Sequence, residues 1–288
     1  MSDVSSFLRS HGIRLNTDLG QHFLIDQEVL RSILDASAIK PGEHIVEIGP
    51  GIGVLTVELL RSKAHVTAIE LDGRMIPLLK EFVSCKLPAT LRLRSGQADY
   101  QLRTIEGNAL HVPLPTTPYK IVANIPYHIT SPLLRHAFLE SEIHPTSMTL
   151  LIQREVAEKI CPPVRHGRAG DTEDRGLLTI LVGLFGTPRI VRMVPPQCFL
   201  PPPAVDSAVL HVQSFEKPLA DPATVEEVFR LVKIAFSQKR KMLSNTLGMF
   251  PEVAERLSRL QIDQKRRPQT LSVHEWIALA RETRKHDA

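Results

Sequence analysis

The sequence predicts an α/β fold, with a parallel sheet covered by helices on both faces and a small all-helical C-terminal part. Three observations predict it. From His44 to Gln153, short apolar runs rich in β-branched residues alternate with segments of helical periodicity. A glycine-rich turn, Gly49–Gly53, lies between the first run and the first helical pattern. After Lys217 only helical patterns remain.

The elements follow in order. His44–Ile48 reads as a buried strand, and Gly53–Ser62 as a helix with Leu55, Leu59 and Leu60 at helical spacing. His65–Leu71 is the second strand, and Arg74–Val83 the second helix, with Ile76, Leu79 and Val83 on one side. Thr104–Glu106 and Tyr119–Asn124 are further strands, Ser131–Leu139 a helix and Thr149–Gln153 a strand. Arg189–Val194 and Val205–Val212 alternate like two more strands across the proline-dense segment Pro195–Pro203. Pro88–Arg103 is polar and basic and reads as a surface insertion or extended hairpin, and Cys161–Arg175 as a loop. Thr224–Phe236, Lys241–Met249 and Glu252–Leu260 read as helices. A last helix opens on the capping box Ser272-x-x-Glu275. The domain boundary falls near residue 216, giving expected domains 1–216 and 217–288.

Composition narrows the function classes. The chain has 288 residues, 43% hydrophobic and 23% charged, within the ordinary globular range. No apolar run approaches the roughly 18 residues of a membrane span, and Met1–Leu15 has no apolar signal core. The expectation is a cytoplasmic protein with no membrane partner. Cys85, Cys161 and Cys198 are far apart and form no C-x-x-C pair, and no H-E-x-x-H occurs, so no metal is expected. The net charge is +4, but residues 217–288 hold 14 Lys/Arg against 9 Asp/Glu. A basic C-terminal part points to a polyanionic partner, although a solvated basic face has the same composition.

Gly49, Gly51 and Gly53 allow positive φ and remove side chains that block a ligand from the backbone. Glu70, ending the next strand, has two oxygens that match the two hydroxyls of a ribose. A dinucleotide fingerprint, G-x-G-x-x-G, requires its third glycine at Val54, and Gly53 comes one place early. E-x-G-x-G-x-G from Glu47 is instead the pattern expected of S-adenosylmethionine enzymes. Asn108, after the third strand, is placed to hydrogen-bond the adenine of such a cofactor.

Asn124-Ile125-Pro126-Tyr127 ends a strand at the carboxyl edge, where open α/β sheets bind ligands. An adenine amino nitrogen is a poor nucleophile because its lone pair is delocalised into the ring. Acceptors at the side chain of Asn124 and the carbonyl of Ile125 can draw on its N–H groups and turn the lone pair outward. Pro126 fixes that carbonyl, and Tyr127 offers a face for stacking worth about 1–3 kcal/mol. Either motif alone also fits a strand end without a ligand. In this order they point to methyl transfer onto an adenine.

With these residues in view, the chain resembles the ribosomal RNA adenine dimethyltransferases, the KsgA/RsmA family of small-subunit modifying enzymes. The resemblance spans nearly the whole chain. It rests on Gly20–Leu24, Glu47–Gly53, Asn124–Tyr127, Phe199–Ser207 and Ala235–Leu247. It implies a Rossmann-like S-adenosylmethionine-dependent methyltransferase domain with a small helical domain. It also implies dimethylation of two adjacent adenosines in the 3′-terminal hairpin loop of 16S ribosomal RNA, during small-subunit biogenesis. The implied partners are that RNA and the pre-subunit particle. His22 and Leu24 are then expected in the cofactor pocket with Gly49, Gly51, Glu70, Asn108 and Asn124. Phe199 is expected opposite Tyr127 against the target base. Lys239, Arg240 and Lys241, with Lys265, Arg266 and Arg267, are expected on RNA phosphates. Two departures stand out. The family commonly has Asp where this chain has Asn108, whose amide oxygen is expected to accept from the adenine amino group. It also tends to have Y-G-x-L-S where this chain has Arg175–Thr179.

Three other readings compete. The macrolide-resistance type of large-subunit adenine methyltransferase shares the entry, cofactor and catalytic motifs, but the Ala235–Leu247 segment argues against it. A non-catalytic nucleic-acid-binding factor on the same fold is disfavoured by the intact Asn124–Tyr127 turn. A nicotinamide dehydrogenase is disfavoured by the glycine spacing.

Overall fold

The structure is a computed structural model that describes residues 3–13, 22–88, 101–162, 175–238 and 241–284. Most of the expected 88–103 insertion and 161–175 loop, together with Gly20, Gln21, Lys239 and Arg240, lie outside the described residues. In chain order the elements begin with α1 (Asp3–Ser10), β1 (Phe23–Leu24), α2 (Gln27–Ser37), β2 (His44–Ile48), α3 (Val54–Arg61), β3 (His65–Glu70) and α4 (Met75–Lys86). Next come β4 (Leu102–Glu106), β5 (Lys120–Asn124), α5 (Thr130–Arg135), β6 (Ser147–Gln153), α6 (Arg154–Ile160), α7 (Leu177–Phe185) and β7 (Gly186–Val194). The chain closes with β8 (Phe199–Leu200), β9 (Ser207–Ser214), α8 (Pro222–Phe236), α9 (Pro251–Arg259) and α10 (Val273–Arg284).

Seven strands form one sheet in the order β4-β3-β2-β5-β6-β9-β7. The first five are mutually parallel, and β9 runs antiparallel to β6. The central strands are buried along most of their length, as expected when helices cover both faces. The strand order reverses between β2 and β5, which makes the cleft above their carboxyl ends the topological switch point of the sheet. A separate two-stranded ribbon pairs Phe23 with Leu200 and Leu24 with Phe199.

Local chemistry explains the element ends. Asp26 caps α2 by accepting from Glu28 N at 2.9 Å and Val29 N at 3.0 Å. The helical signal at Ser131–Leu139 appears as α5 running into a π-helical turn, His136–Glu140.

The chain divides into two compact units, one of Met1–Ala157 with Arg189–Ser214, the other of Glu158–Pro188 with Phe215–Ala288. The expected boundary near 216 falls beside this division but assigns 158–188 to the first part. The second unit takes in α7, whose sequence LLTILVGLF is apolar all round and therefore needs cover on every side. A Cβ on Gly183 would come within 2.8 Å of Val273 Cγ2, a sign of how closely α7 and α10 pack.

The second unit corrects one expected helix. Lys241–Met249 is not a continuous helix but two 3₁₀ turns, Leu243–Asn245 and Leu247–Met249. The reason lies in the backbone donors: Leu243 N bonds to Arg266 O at 2.8 Å and Ser244 N to Gln264 O at 2.9 Å, so neither enters a helical ladder. The capping box of α10 forms as expected, with Ser272 N donating to Glu275 Oε2 at 2.7 Å and Glu275 N to Ser272 Oγ at 3.2 Å.

Candidate active site

The cavity of about 380 Å³ at the switch point is built from four strand ends. The turn after β2 supplies Gly49 and Gly51, the end of β3 supplies Glu70, the turn after β4 supplies Asn108, and the end of β5 supplies Asn124. His22 and Leu24 reach it from β1 and the residue before it. Every residue expected at the cofactor site therefore lines one cavity.

The glycine turn is left-handed at three positions, with φ of +65° at Gly49, +56° at Gly51 and +94° at Gly53. Gly53 N closes the turn on Pro50 O at 2.9 Å, and Gly49 N bonds Ile69 O at 2.9 Å, tying the turn to β3. The sequence expects the turn to leave room for a ligand. At Gly51 it also leaves room for the protein itself, since a Cβ there would lie 2.5 Å from Phe23 Cε1.

Glu70 is held by the backbone on both sides. Gly51 N donates to its Oε2 at 3.1 Å and Asp72 N to its Oε1 at 2.9 Å. Burial raises its pKa, and these two N–H bonds act against the rise. Each carboxylate oxygen keeps acceptor capacity for a further donor.

Glu47 lies deeper, 1% exposed, with Thr56 Oγ1 donating to its Oε2 at 2.6 Å. Burial pushes its pKa up to about 8, and the nearby Glu70 charge adds to the rise while the Thr56 bond opposes it. Between the ordinary value of 4.5 and about 8, the folded chain keeps a proton that the unfolded chain has released. Stability from Glu47 is thus full below pH 4.5 and is lost as pH rises through that window, by at most about 1.4 kcal/mol per unit. Glu47→Gln keeps an acceptor for Thr56 and carries no charge. Its melting temperature is expected to match wild type at pH 5 and exceed it at pH 9. Parallel melting curves for the two proteins across this range would contradict a protonated Glu47.

The Asn124 amide is oriented by a single bond. Its Nδ2 donates to the His22 carbonyl at 3.0 Å, so the atom left to face a ligand is the acceptor Oδ1. His22 is itself fixed by donation from Nδ1 to Pro201 O at 2.8 Å. The Tyr127 ring lies near-parallel to the His22 ring, with centroids 6.2 Å apart, and its hydroxyl is 2.6 Å from Ser207 Oγ. The side chains of His22, Asn124 and Tyr127 are therefore each held by another part of the chain.

Asn108 has the opposite polarity. Leu110 N donates to its Oδ1 at 3.0 Å, so the amide oxygen expected to accept from an adenine amino group already serves the backbone with one lone pair, and the group left uncommitted is the donor Nδ2.

Not every expected residue comes to the cavity. Phe199 is 1% exposed, packed in the core through the β1–β8 ribbon, and does not line it. The Tyr127 and Ile125 side chains do not line it either, although Asn124 and Pro126 beside them do. Arg266 serves the fold of its own unit, bonding Glu275 and the Thr270 carbonyl rather than standing ready for a phosphate. Lys241 is exposed. Sequence reasoning also missed His128 and Asp72. His128 follows the Asn124–Tyr127 tetrapeptide directly, and Asp72 lies two residues after Glu70. Both line the cavity. Among the described residues, no cluster of three or more His, Cys, Asp or Glu could hold a metal ion, and no helix is long and apolar enough to cross a membrane.

A parallel sheet with a glycine turn, a buried carboxylate and an Asn-Ile-Pro-Tyr edge at one switch point has the Rossmann-like methyltransferase fold. Comparison with known proteins narrows the class. The family described as ribosomal RNA adenine dimethylase matches residues 12–285, and the chain belongs to that family. It is 36% identical over 287 residues to ribosomal RNA small subunit methyltransferase A of Dehalococcoides mccartyi, covering 98% of this chain and 93% of that one. It is also 36% identical over 282 residues to the protein of the same name from Chlamydia trachomatis, with 97% and 96% covered. Among solved structures it is similar to a dimethyladenosine transferase from Plasmodium falciparum, with a TM-score of 0.75, 28% identity and 92% and 98% covered. It is also similar to the 23S rRNA methyltransferase ErmE, with a TM-score of 0.68, 25% identity and 90% and 98% covered.

Proposed function

We propose that this protein uses S-adenosylmethionine to dimethylate the exocyclic amino groups of two adjacent adenosines in the 3′-terminal hairpin loop of small-subunit ribosomal RNA. The observation that carries the reading is the Asn124 amide. Its nitrogen is tied to the His22 carbonyl, which leaves its oxygen as an acceptor at the rim of the cavity that Glu70 and the glycine turn also line.

The residues present fit such a cofactor. Glu70 combines a buried carboxylate with unused acceptor capacity for a ribose diol, and Leu71, 60% exposed, offers an apolar surface at the same rim. Asn108 lies at the purine end. When bound, the cofactor supplies an electrophilic methyl group on a sulfonium. Asn124 Oδ1 and the Ile125 carbonyl accept from the two N–H groups of the target amine and steer its lone pair. Pro126 donates no N–H and fixes that carbonyl. Tyr127, anchored at Ser207, supplies a stacking face for a base presented from a loop. No strong general base is needed, because the amine proton becomes acidic once its nitrogen carries charge. Positioning of this kind can supply roughly 7–11 kcal/mol of the barrier. Lys241, Lys265 and Arg267, all exposed, hold phosphates and make affinity fall with salt.

The relatives named for the small subunit favour that RNA over the large-subunit type. The test is a tritiated methyl-transfer assay on undermethylated small subunits and, in parallel, on isolated large-subunit RNA. Label is expected in two adjacent adenosines of the small-subunit RNA alone. Label in large-subunit RNA, or none in either, would overturn the reading.

A further inference from the structure

Asn108 sits in a turn that leaves its side chain no choice of orientation. The backbone is fixed by His111 N at 2.8 Å and Val112 N at 3.0 Å, both donating to the Asn108 carbonyl. Gly107 N donates to Glu70 O at 2.9 Å, joining this turn to the end of β3. Leu110 N then donates to Asn108 Oδ1 at 3.0 Å. An N–H can bond only to the oxygen of an amide. Turning the amide over would set an NH₂ group against the Leu110 N–H and leave that donor without its partner. Nδ2 has no acceptor among the described residues. The group of Asn108 not committed to the backbone is therefore the donor Nδ2, while Oδ1 keeps only the lone pair that Leu110 does not use.

Resting on the cofactor reading above, we propose that Asn108 is a specificity residue that meets the cofactor's purine with donors. The chain then grips the ring through an acceptor atom, not through the amino group at position 6. Adenine presents a ring-nitrogen acceptor beside its amino group. A 6-oxo purine carries a hydrogen on that ring nitrogen but presents its carbonyl oxygen beside it, so the Asn108 donor still finds an acceptor on the same edge and the site discriminates weakly between the two. A carboxylate at this position behaves differently. One oxygen keeps the Leu110 bond, and the second becomes an acceptor that rewards the amino group and repels a carbonyl.

Calorimetric titration of the full chain with S-adenosylhomocysteine and with its inosine counterpart tests this. Wild type is expected to bind the two within about fivefold. Asn108→Asp is expected to bind the adenosine compound at least about tenfold more tightly than the inosine compound, the size of one hydrogen bond to a charged group. A wild-type preference for the adenosine compound as large as the variant's would overturn the proposal, because the amino group would then be read without the carboxylate. If the variant does not fold, the wild-type ratio decides alone. Failure of wild type to bind either compound would instead overturn the cofactor reading, and this proposal with it.

Discussion

Asn124→Ala is expected to lower single-turnover methyl transfer by a factor of about 10²–10³ or more, the range seen when one preorganised polar group is removed from a reacting centre. RNA affinity, measured by filter binding at fixed salt, is expected to stay within about threefold, because phosphate contacts dominate it. The expectation rests on orientation rather than mere presence. The Nδ2–His22 O bond, 3.0 Å long, is what turns Oδ1 toward the ligand. Asn124→Asp separates the two contributions. It retains an acceptor and near-identical volume, but places a second oxygen against the His22 carbonyl, so the side chain must rotate away. Rates as low as those of the alanine variant are expected. An aspartate variant with wild-type turnover would show that the acceptor needs no orienting partner. An alanine variant with wild-type turnover would remove Asn124 from catalysis altogether.

The legible parts of this protein were those in which chain order and chemistry coincide. The glycine turn, Glu70 and Asn124 each end a strand of a parallel sheet, so reading the strands placed the residues, and all three line one cavity. The capping box at Ser272 and Glu275 was legible because it closes within four residues. What stayed hidden depends on partners far away in sequence. Nothing local to Lys241–Met249 says that Leu243 and Ser244 donate to Arg266 and Gln264. The burial of Phe199 follows from pairing with Leu24, 175 positions earlier in the chain. The polarity of Asn108 is a different case. Its partner, Leu110 N, is two residues away, but the bond exists only because the turn is closed by His111 and Val112. Residue type gives the two groups an amide can offer, and only the fold decides which one it spends on itself.

Gly51→Ala is expected to damage both stability and catalysis, for a reason that the ligand-clearance reading of the turn does not contain. A Cβ at this position meets the edge of the Phe23 ring at 2.5 Å, and the backbone φ of +56° is itself unfavourable for alanine. The backbone contributes about 1–2 kcal/mol of destabilisation and the overpacking about 1–3 kcal/mol. The melting temperature is expected to fall by about 5–15 °C. Phe23 cannot simply step aside, since it is buried and paired with Leu200. Moving it drags the neighbouring His22, whose carbonyl orients Asn124. The same shift loosens the Gly51 N bond to Glu70. Gly53→Ala is the control. Its Cβ would meet Leu79 Cδ1 and, at 3.1 Å, Val83 Cγ2, both buried in the core away from the cavity lining, and its turn residue makes no bond to Glu70. It is expected to lose stability with a smaller loss of turnover. Adding Phe23→Leu to Gly51→Ala removes the ring edge and is expected to recover the packing share of the melting temperature, leaving the backbone share. If the double variant melts no higher than Gly51→Ala alone, Phe23 is not what the glycine accommodates, and the route from this turn through His22 to Asn124 fails.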